Sequence, residues 1–170
     1  WSIGNELIER ALPEGAEIAR LLADHVRAVE PTRPVTAGIC DVWDTDTTWR
    51  GTDALFAALD LRGYNYRVQV YREDHERFPD TVIVATETSP TQQYDYWKAV
   101  EDLPYLIGDF VWTALDYLGE AGVGREYLEG EKSDFLPGWP WTVANCGDLD
   151  LCGVKRPQSY YRDVLWQIRD

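Results

Sequence analysis

Short apolar runs alternate with amphipathic stretches along the chain, which is the pattern of repeated β/α units rather than of an all-helical or all-strand domain. Residues 1–4 predict the tail of a first strand. In residues 16–30, Ile18, Leu21, Leu22, Val26 and Val29 recur at helical spacing, and Pro31 with Pro34 ends that helix. Residues 35–40 then predict a strand, 53–59 a helix, 61–66 a strand and 70–78 a charged helix closed by Pro79. The β-branched run at 81–86 is the clearest strand of all. Residues 92–103 predict a helix that turns Tyr94, Trp97 and Val100 inward, and 106–115 a last strand interrupted by Gly108 and Asp109. The segment 119–153 is rich in Gly, Pro and Trp without a steady period and predicts a long surface loop. Helical spacing resumes at 158–168 through Tyr161, Val164, Leu165 and Ile168.

Glu6, Asp41, Tyr66, Glu87 and Trp112 each close one of these strands and lie about 21 to 35 residues apart, close to the roughly 30 residues per unit of an eight-unit (β/α) barrel. Their side chains would then share the C-terminal face of a parallel sheet. A doubly wound open sheet is the alternative, although no GxGxxG or Walker-type loop follows the first strand. No internal repeat or low-complexity tract interrupts the chain.

Composition narrows the partners. The 170 residues are 45% apolar and 13% aromatic, enough to bury a substantial core. With 30 acidic against 16 basic residues the formal charge is −14, which disfavours nucleic acid and anionic membrane surfaces and favours a neutral substrate. Eight tryptophans and ten tyrosines serve equally as core or as platforms for sugar faces. No run approaches the roughly 18–20 apolar residues of a membrane span, and no signal peptide opens the chain. The sequence lacks methionine and begins inside a motif, so a preceding segment is expected and localisation is not legible. Cys40, Cys146 and Cys152 have no metal-site spacing and read as free, buried thiols, with a Cys146–Cys152 pair open in an oxidising compartment. His25 and His75 fall in charged helical stretches and read as solvated surface residues.

Two glutamates at strand ends are a candidate acid/base and nucleophile for glycoside hydrolysis. A sugar-binding module without chemistry is the competing class, but it would need aromatic platforms and no paired carboxylate.

Five segments occur in a fixed order: Trp-Ser-Ile-Gly-Asn-Glu at 1–6, Gly-Tyr-Asn-Tyr at 63–66, Thr-Glu-Thr at 86–88, Gly-Asp-Phe-Val-Trp-Thr at 108–113 and Lys-Arg-Pro-Gln-Ser-Tyr-Tyr-Arg-Asp at 155–163. Together they resemble the second half of the catalytic barrel of glycoside hydrolase family 2, the family of β-galactosidases, β-glucuronidases and β-mannosidases. The resemblance implies an α/β fold in which residues 1–170 form a partial (β/α)8 TIM barrel, from the end of strand four to helix eight. The first three strands and the preceding β-sandwich domains would lie outside it, so the isolated chain is expected to have little activity and could self-associate. It further implies that Glu6 is the acid/base and Glu87 the nucleophile, that Asn5 binds the sugar 2-hydroxyl, and that Tyr66 donates to the nucleophile. Trp112 would wall the sugar ring, and Trp139 and Trp141 would line the leaving-group side.

No organic cofactor is implied. Some members hold magnesium beside the acid/base, but its other ligands would lie upstream, and no metal ligand is assigned here. Glucuronide-cleaving members carry Asn-x-Lys before the last helix to bind the uronic carboxylate. Here Gly147 stands two after Asn145, and Asp148 and Asp150 follow, which would repel an anion. That departure argues against a glucuronidase, while the run at 108–117 and the Gly-Asp-Leu-Asp stretch at 147–150 look most like β-galactosidase members, which implies a small or oligomeric β-galactoside as substrate, with β-mannosidase and other β-glycosidases open.

Overall fold

The computed structural model describes residues 1–125, 127–132 and 134–167. Seven strands and five α-helices follow one another as β1 (Ser2–Asn5), α1 (Pro13–Val29), β2 (Thr36–Ile39), α2 (Asp53–Phe56), β3 (Leu61–Asn65), α3 (Tyr71–Arg77), β4 (Val82–Thr88), α4 (Gln93–Asp102), β5 (Leu106–Val111), β6 (Tyr117–Leu118), β7 (Val143–Ala144) and α5 (Pro157–Leu165) among the described residues. The fold is α/β, with a parallel five-stranded sheet ordered β1-β2-β3-β4-β5. Strands adjacent in sequence are adjacent in space and connected by helical crossovers, as the alternating pattern predicts. The chain divides into two units, Trp1–Thr88 with Lys98–Phe110 and Ser89–Trp97 with Val111–Asp170.

In the first unit, α1 starts where Pro13 occupies an initial position that lacks a hydrogen-bond acceptor, and carries Glu14 and Arg27 at the ends that suit the helix dipole. Its buried face is Gly15, Ala16, Ala19 and Ala23. The large residues Ile18, Leu21, Leu22 and Val29 are exposed, so the stripe they mark is not the packed one. The helical period is right but its phase is set by small side chains, which let α1 approach its neighbours closely. A core of Val35, Ala37, Ile39, Leu55, Ile83 and Ala85 is fully or almost fully buried; each larger aliphatic side chain contributes about 1.5–3 kcal/mol. Tyr64 of β3 lies among Trp49, Phe56 and Tyr71 with ring centroids 5.1–5.6 Å away, and its hydroxyl donates to Asp74 at 2.9 Å.

The segment 119–153 is not wholly loop. Val143 and Ala144 pair antiparallel with Tyr117 and Leu118, and Val123, Ala144 and Cys146 form a small buried cluster in the second unit. In α4 the buried residues are Gln93 and Tyr96, while Tyr94, expected inside, is exposed. Strand β5 ends at Val111, four residues before the sequence pattern does. Ile168, the last apolar position of the expected final helix, lies outside the described residues. His75 is half-buried and stacks on Tyr105 at 3.5 Å rather than standing in solvent. All three cysteines are free, with Cys40 and Cys146 buried and Cys152 exposed. Among the described residues, no helix is long and apolar enough to cross a membrane.

Candidate active site

Three consecutive residue pairs at the C-terminal ends of β1, β3 and β4 form the candidate site: Asn5 with Glu6, Asn65 with Tyr66, and Thr86 with Glu87. In a regular strand, neighbouring side chains point to opposite faces, so two in a row would not normally address one site. Backbone irregularities overcome this. Glu6 and Tyr66 adopt left-handed conformations with φ of 47° and 58°, which are uncommon for residues with side chains and costly unless the surroundings hold them. Between β3 and β4 the register slips, so that Tyr64 pairs Ala85 but Asn65 pairs Glu87. The extra residue, Thr86, turns inward beside Glu87 instead of away from it.

These turns bring the two glutamates close to one amide. Asn65 is fully buried, and its Nδ2 donates to Asn5 Oδ1 at 2.9 Å and to Glu6 Oε1 at 3.2 Å. Its Oδ1 accepts from the Thr86 hydroxyl at 2.6 Å. The reverse amide orientation would aim a carbonyl at two acceptors, so the arrangement has one satisfied form. Tyr66 Oη donates to Glu87 Oε2 at 2.8 Å, and the Asn5 and Asn65 amides lie close enough to the Glu87 carboxyl to favour its charged form. Gly38 on β2 makes room: a Cβ there would come within 2.6 Å of Asn5 Oδ1 and 2.8 Å of Asn65 Oδ1.

Burial raises the proton affinity of Glu87 above that of an ordinary glutamate; the Tyr66 hydroxyl opposes the shift, and the nearby Glu6 charge adds to it. Burial likewise pushes the Cys40 thiol up to about 11, with the Glu6 charge again adding. The thiol is thus protonated at neutral pH and is no nucleophile. Asp41, at the end of the next strand, is paired with Arg67 at 2.5 Å. Asn65 and Thr86 were not singled out by sequence reasoning. The one available signal was that each stands directly before a strand-end candidate, Asn65 before Tyr66 and Thr86 before Glu87.

No protein-family model matches the sequence. A crystal structure of a glycosyl hydrolase family 2 member from Bacteroides cellulosilyticus superposes with a TM-score of 0.84 and 47% identity, covering 98% of this chain and 20% of that one. The chain belongs to glycoside hydrolase family 2. A second family 2 structure, from Bacteroides cellulosilyticus DSM 14838, has a TM-score of 0.78 and 42% identity, over 99% of this chain and 19% of that one. The β-galactosidase BoGH2A of Bacteroides ovatus is 23% identical over an alignment that spans 98% of this chain and 26% of the relative. The chain therefore spans about a fifth to a quarter of the length of these family 2 proteins.

The remaining residues expected to serve this family 2 site lie in the second unit. Trp112 is half-buried against Val123, Ala144 and Cys146 and meets Tyr117 edge to face at 6.1 Å. Trp139 is the most exposed of the large apolar residues, whereas Trp141 stacks on the Arg125 guanidinium at 4.4 Å. The loop before α5 corrects the charge argument made from sequence. Asp148 is buried and ion-paired to Arg162 at 2.6 Å, and Asp116 pairs with Arg156 while accepting the Gly147 N–H at 2.8 Å. Asp150 accepts the backbone N–H groups of Cys152 and Val154. With Asp148 neutralised and Asp150 turned to its own backbone, they are not an anion-repelling surface. What survives is that Gly147 supplies no cation, because a Cβ there would sit 2.2 Å from the Asp116 nitrogen. Among the described residues no group of three or more His, Cys, Asp or Glu side chains is arranged to hold a metal ion.

Proposed function

We propose that residues 1–170 carry the catalytic pair of a retaining exo-β-glycosidase, acting as a β-galactosidase, and form the second half of its (β/α)8 barrel. The observation that supports this best is the Asn65 amide at the strand ends, which donates to Glu6 and lies beside the Glu87 carboxyl, close enough for the Glu6 charge to act on Glu87. Two carboxyls that sense each other's charge beside one amide fit the roughly 5–5.5 Å separation of retaining enzymes better than the wider spacing that admits water in inverting ones.

In the reaction, ionised Glu87 attacks the anomeric carbon as Glu6 passes its proton to the departing oxygen, leaving a glycosyl ester on Glu87. Glu6, now ionised, takes a proton from water. The resulting hydroxide equivalent attacks the same carbon, the ester bond breaks, and Glu87 regains its electron pair. Tyr66 orients Glu87 and favours its charged form. Asn5, exposed at the edge of the site, binds the sugar 2-hydroxyl, a contact that tightens as the ring flattens. We assign Trp112 to the wall of the sugar site and Trp139 and Trp141 to the leaving-group side.

A neutral sugar is favoured over a uronic acid because the cation needed at position 147 is absent and the nearby Arg156 and Arg162 are committed to Asp116 and Asp148. BoGH2A, named a β-galactosidase, points the same way. β-Mannosidase and β-glucuronidase activities are the alternatives. A non-catalytic sugar-binding domain is disfavoured by the paired carboxylates. The isolated 170-residue chain is expected to turn over slowly, since it spans a fifth to a quarter of its relatives.

Hydrolysis of aryl β-galactosides by the natural full-length protein tests the reading. Glu6→Gln should slow substrates with poor leaving groups far more than those with good ones. Equal losses across leaving groups would remove Glu6 from the acid role.

A further inference from the structure

Outside the glutamate pair, the loop that follows β2 is held in an unusual way. Arg10, whose side chain is 2% exposed, reaches across to it. Its Nε and Nη2 donate to the Asp41 carbonyl at 2.9 and 2.6 Å, and it pairs with the Asp44 carboxylate. Its Nη1 donates to the carbonyl of Leu7, the residue that follows Glu6, at 2.9 Å. From the other side Arg67 pairs with Asp41 and lies over the Trp49 ring at 4.8 Å, while Trp49 Nε1 donates to Asp74 at 2.9 Å. The stretch 41–49 is thus fastened at Asp41, Asp44 and Trp49.

Between those fastenings stands Trp43. One face of its ring covers the Arg10 guanidinium at 4.9 Å, yet the residue is 68% exposed. Burial is what an aromatic side chain ordinarily gains from a fold, and within this chain the indole has only its Arg10 face covered. Arg10 also fixes where it stands. With a C–N bond of about 1.3 Å, the contacts to Leu7 and to the ring put the indole centre no more than about 9 Å from the Leu7 carbonyl. Leu7 directly follows Glu6, so the indole stands at the same C-terminal end of the sheet as the group read as facing the leaving oxygen.

The chemistry of the loop selects what can lie on it. Both arginines are occupied by Asp44 and Asp41, and Arg10 is inaccessible, so no cation is free there to draw an anion. Besides Val42, the remaining side chains are the Thr45, Thr47 and Thr48 hydroxyls, which donate to and accept from sugar hydroxyls, and the Asp46 carboxylate, which accepts from them and repels negative charge.

We propose that Trp43 is the platform for the first sugar of the leaving group, an uncharged pyranose stacked on its open face. The inference rests on the catalytic reading of Glu6 and Glu87 for its chemistry but not for its binding geometry.

Two readouts on the natural full-length protein separate the claims. For Trp43→Ala, kcat/KM on a β-galactosyl disaccharide should fall about tenfold, the size of one lost stacking contact, while β-galactosyl fluoride, which has no leaving-group ring, is unaffected. Calorimetric Kd for an unhydrolysable thio-linked disaccharide should rise by the same factor, with galactose binding unchanged. Trp43→Phe should retain most of both, and Trp43→Ala should lower Tm by no more than a few degrees, the loss of its contact with Arg10. Equal losses on the fluoride and on galactose, or no loss with the disaccharides, would overturn the platform. A wild type that binds the thio-linked disaccharide but hydrolyses nothing would overturn the catalytic reading alone, leaving the Trp43→Ala binding result to decide the platform. A wild type that binds neither ligand would overturn both.

Discussion

Replacing Tyr66 with Phe removes one hydroxyl from the site and nothing else. The ring volume is kept, so no cavity forms and Tm should stay within a few degrees of the wild type. What is lost is a 2.8 Å hydrogen bond from Oη to the Glu87 carboxylate. Hydrogen bonds to charged groups contribute about 1.5–3 kcal/mol, so kcat/KM should fall by about 10- to 150-fold if Glu87 must be ionised to attack.

The pH profile gives a sharper test. Burial already raises the proton affinity of Glu87, and the Tyr66 hydroxyl is the strongest influence opposing it. The sign follows directly: without the hydroxyl, the protonated form is favoured further, and the nucleophile stays uncharged to higher pH. The acidic limb of kcat/KM against pH should therefore move upward in Tyr66→Phe, and part of the lost rate should return as pH is raised. A limb that stays in place with full activity would mean that Tyr66 does not serve the reacting carboxylate. A limb that moves downward would mean that the group titrating there is not Glu87.

Thr86→Val keeps the shape of the side chain but leaves the buried Asn65 carbonyl unpaired, a cost of about 1–3 kcal/mol. A lower Tm and at least a tenfold loss of kcat/KM should follow, and Thr86→Ser should restore both. If valine and serine behave alike, the hydroxyl does not hold the amide. Gly147→Ala drives a Cβ into the Asp116 backbone and should lower Tm by several degrees, measurable by calorimetry. An unchanged Tm would show that this loop is free to move aside.

The β/α alternation was legible because its punctuation is local: Pro31, Pro34 and Pro79 end helices, and the run at 81–86 is β-branched. The pair Glu6 and Glu87 was legible because both close strands within recognisable motifs. What escaped depended on phase, register or distance. Helix α1 buries alanines and exposes leucines, which a size-weighted reading of the same period places the other way round. Asn65 escaped because strict alternation turns it away from the side that Tyr66 faces, and only the left-handed turn at Tyr66 and the slipped register at Glu87 bring it back. The neutrality of Asp148 depends on Arg162, 14 residues on in α5, and no local pattern connects the two. Trp43 reads as one aromatic in a polar loop until the Arg10 contacts fix its place.

The central claim is that Glu87 becomes covalently bound to the sugar while Glu6 manages the proton. Incubating the natural full-length protein with a 2-deoxy-2-fluoro-β-galactoside carrying a good leaving group should slow release of the glycosyl ester enough to trap it. Peptide mass spectrometry should then find one fluorosugar, on Glu87, and none in Glu87→Gln. A label on another residue, or no label from a protein that turns over the parent substrate, would contradict the account.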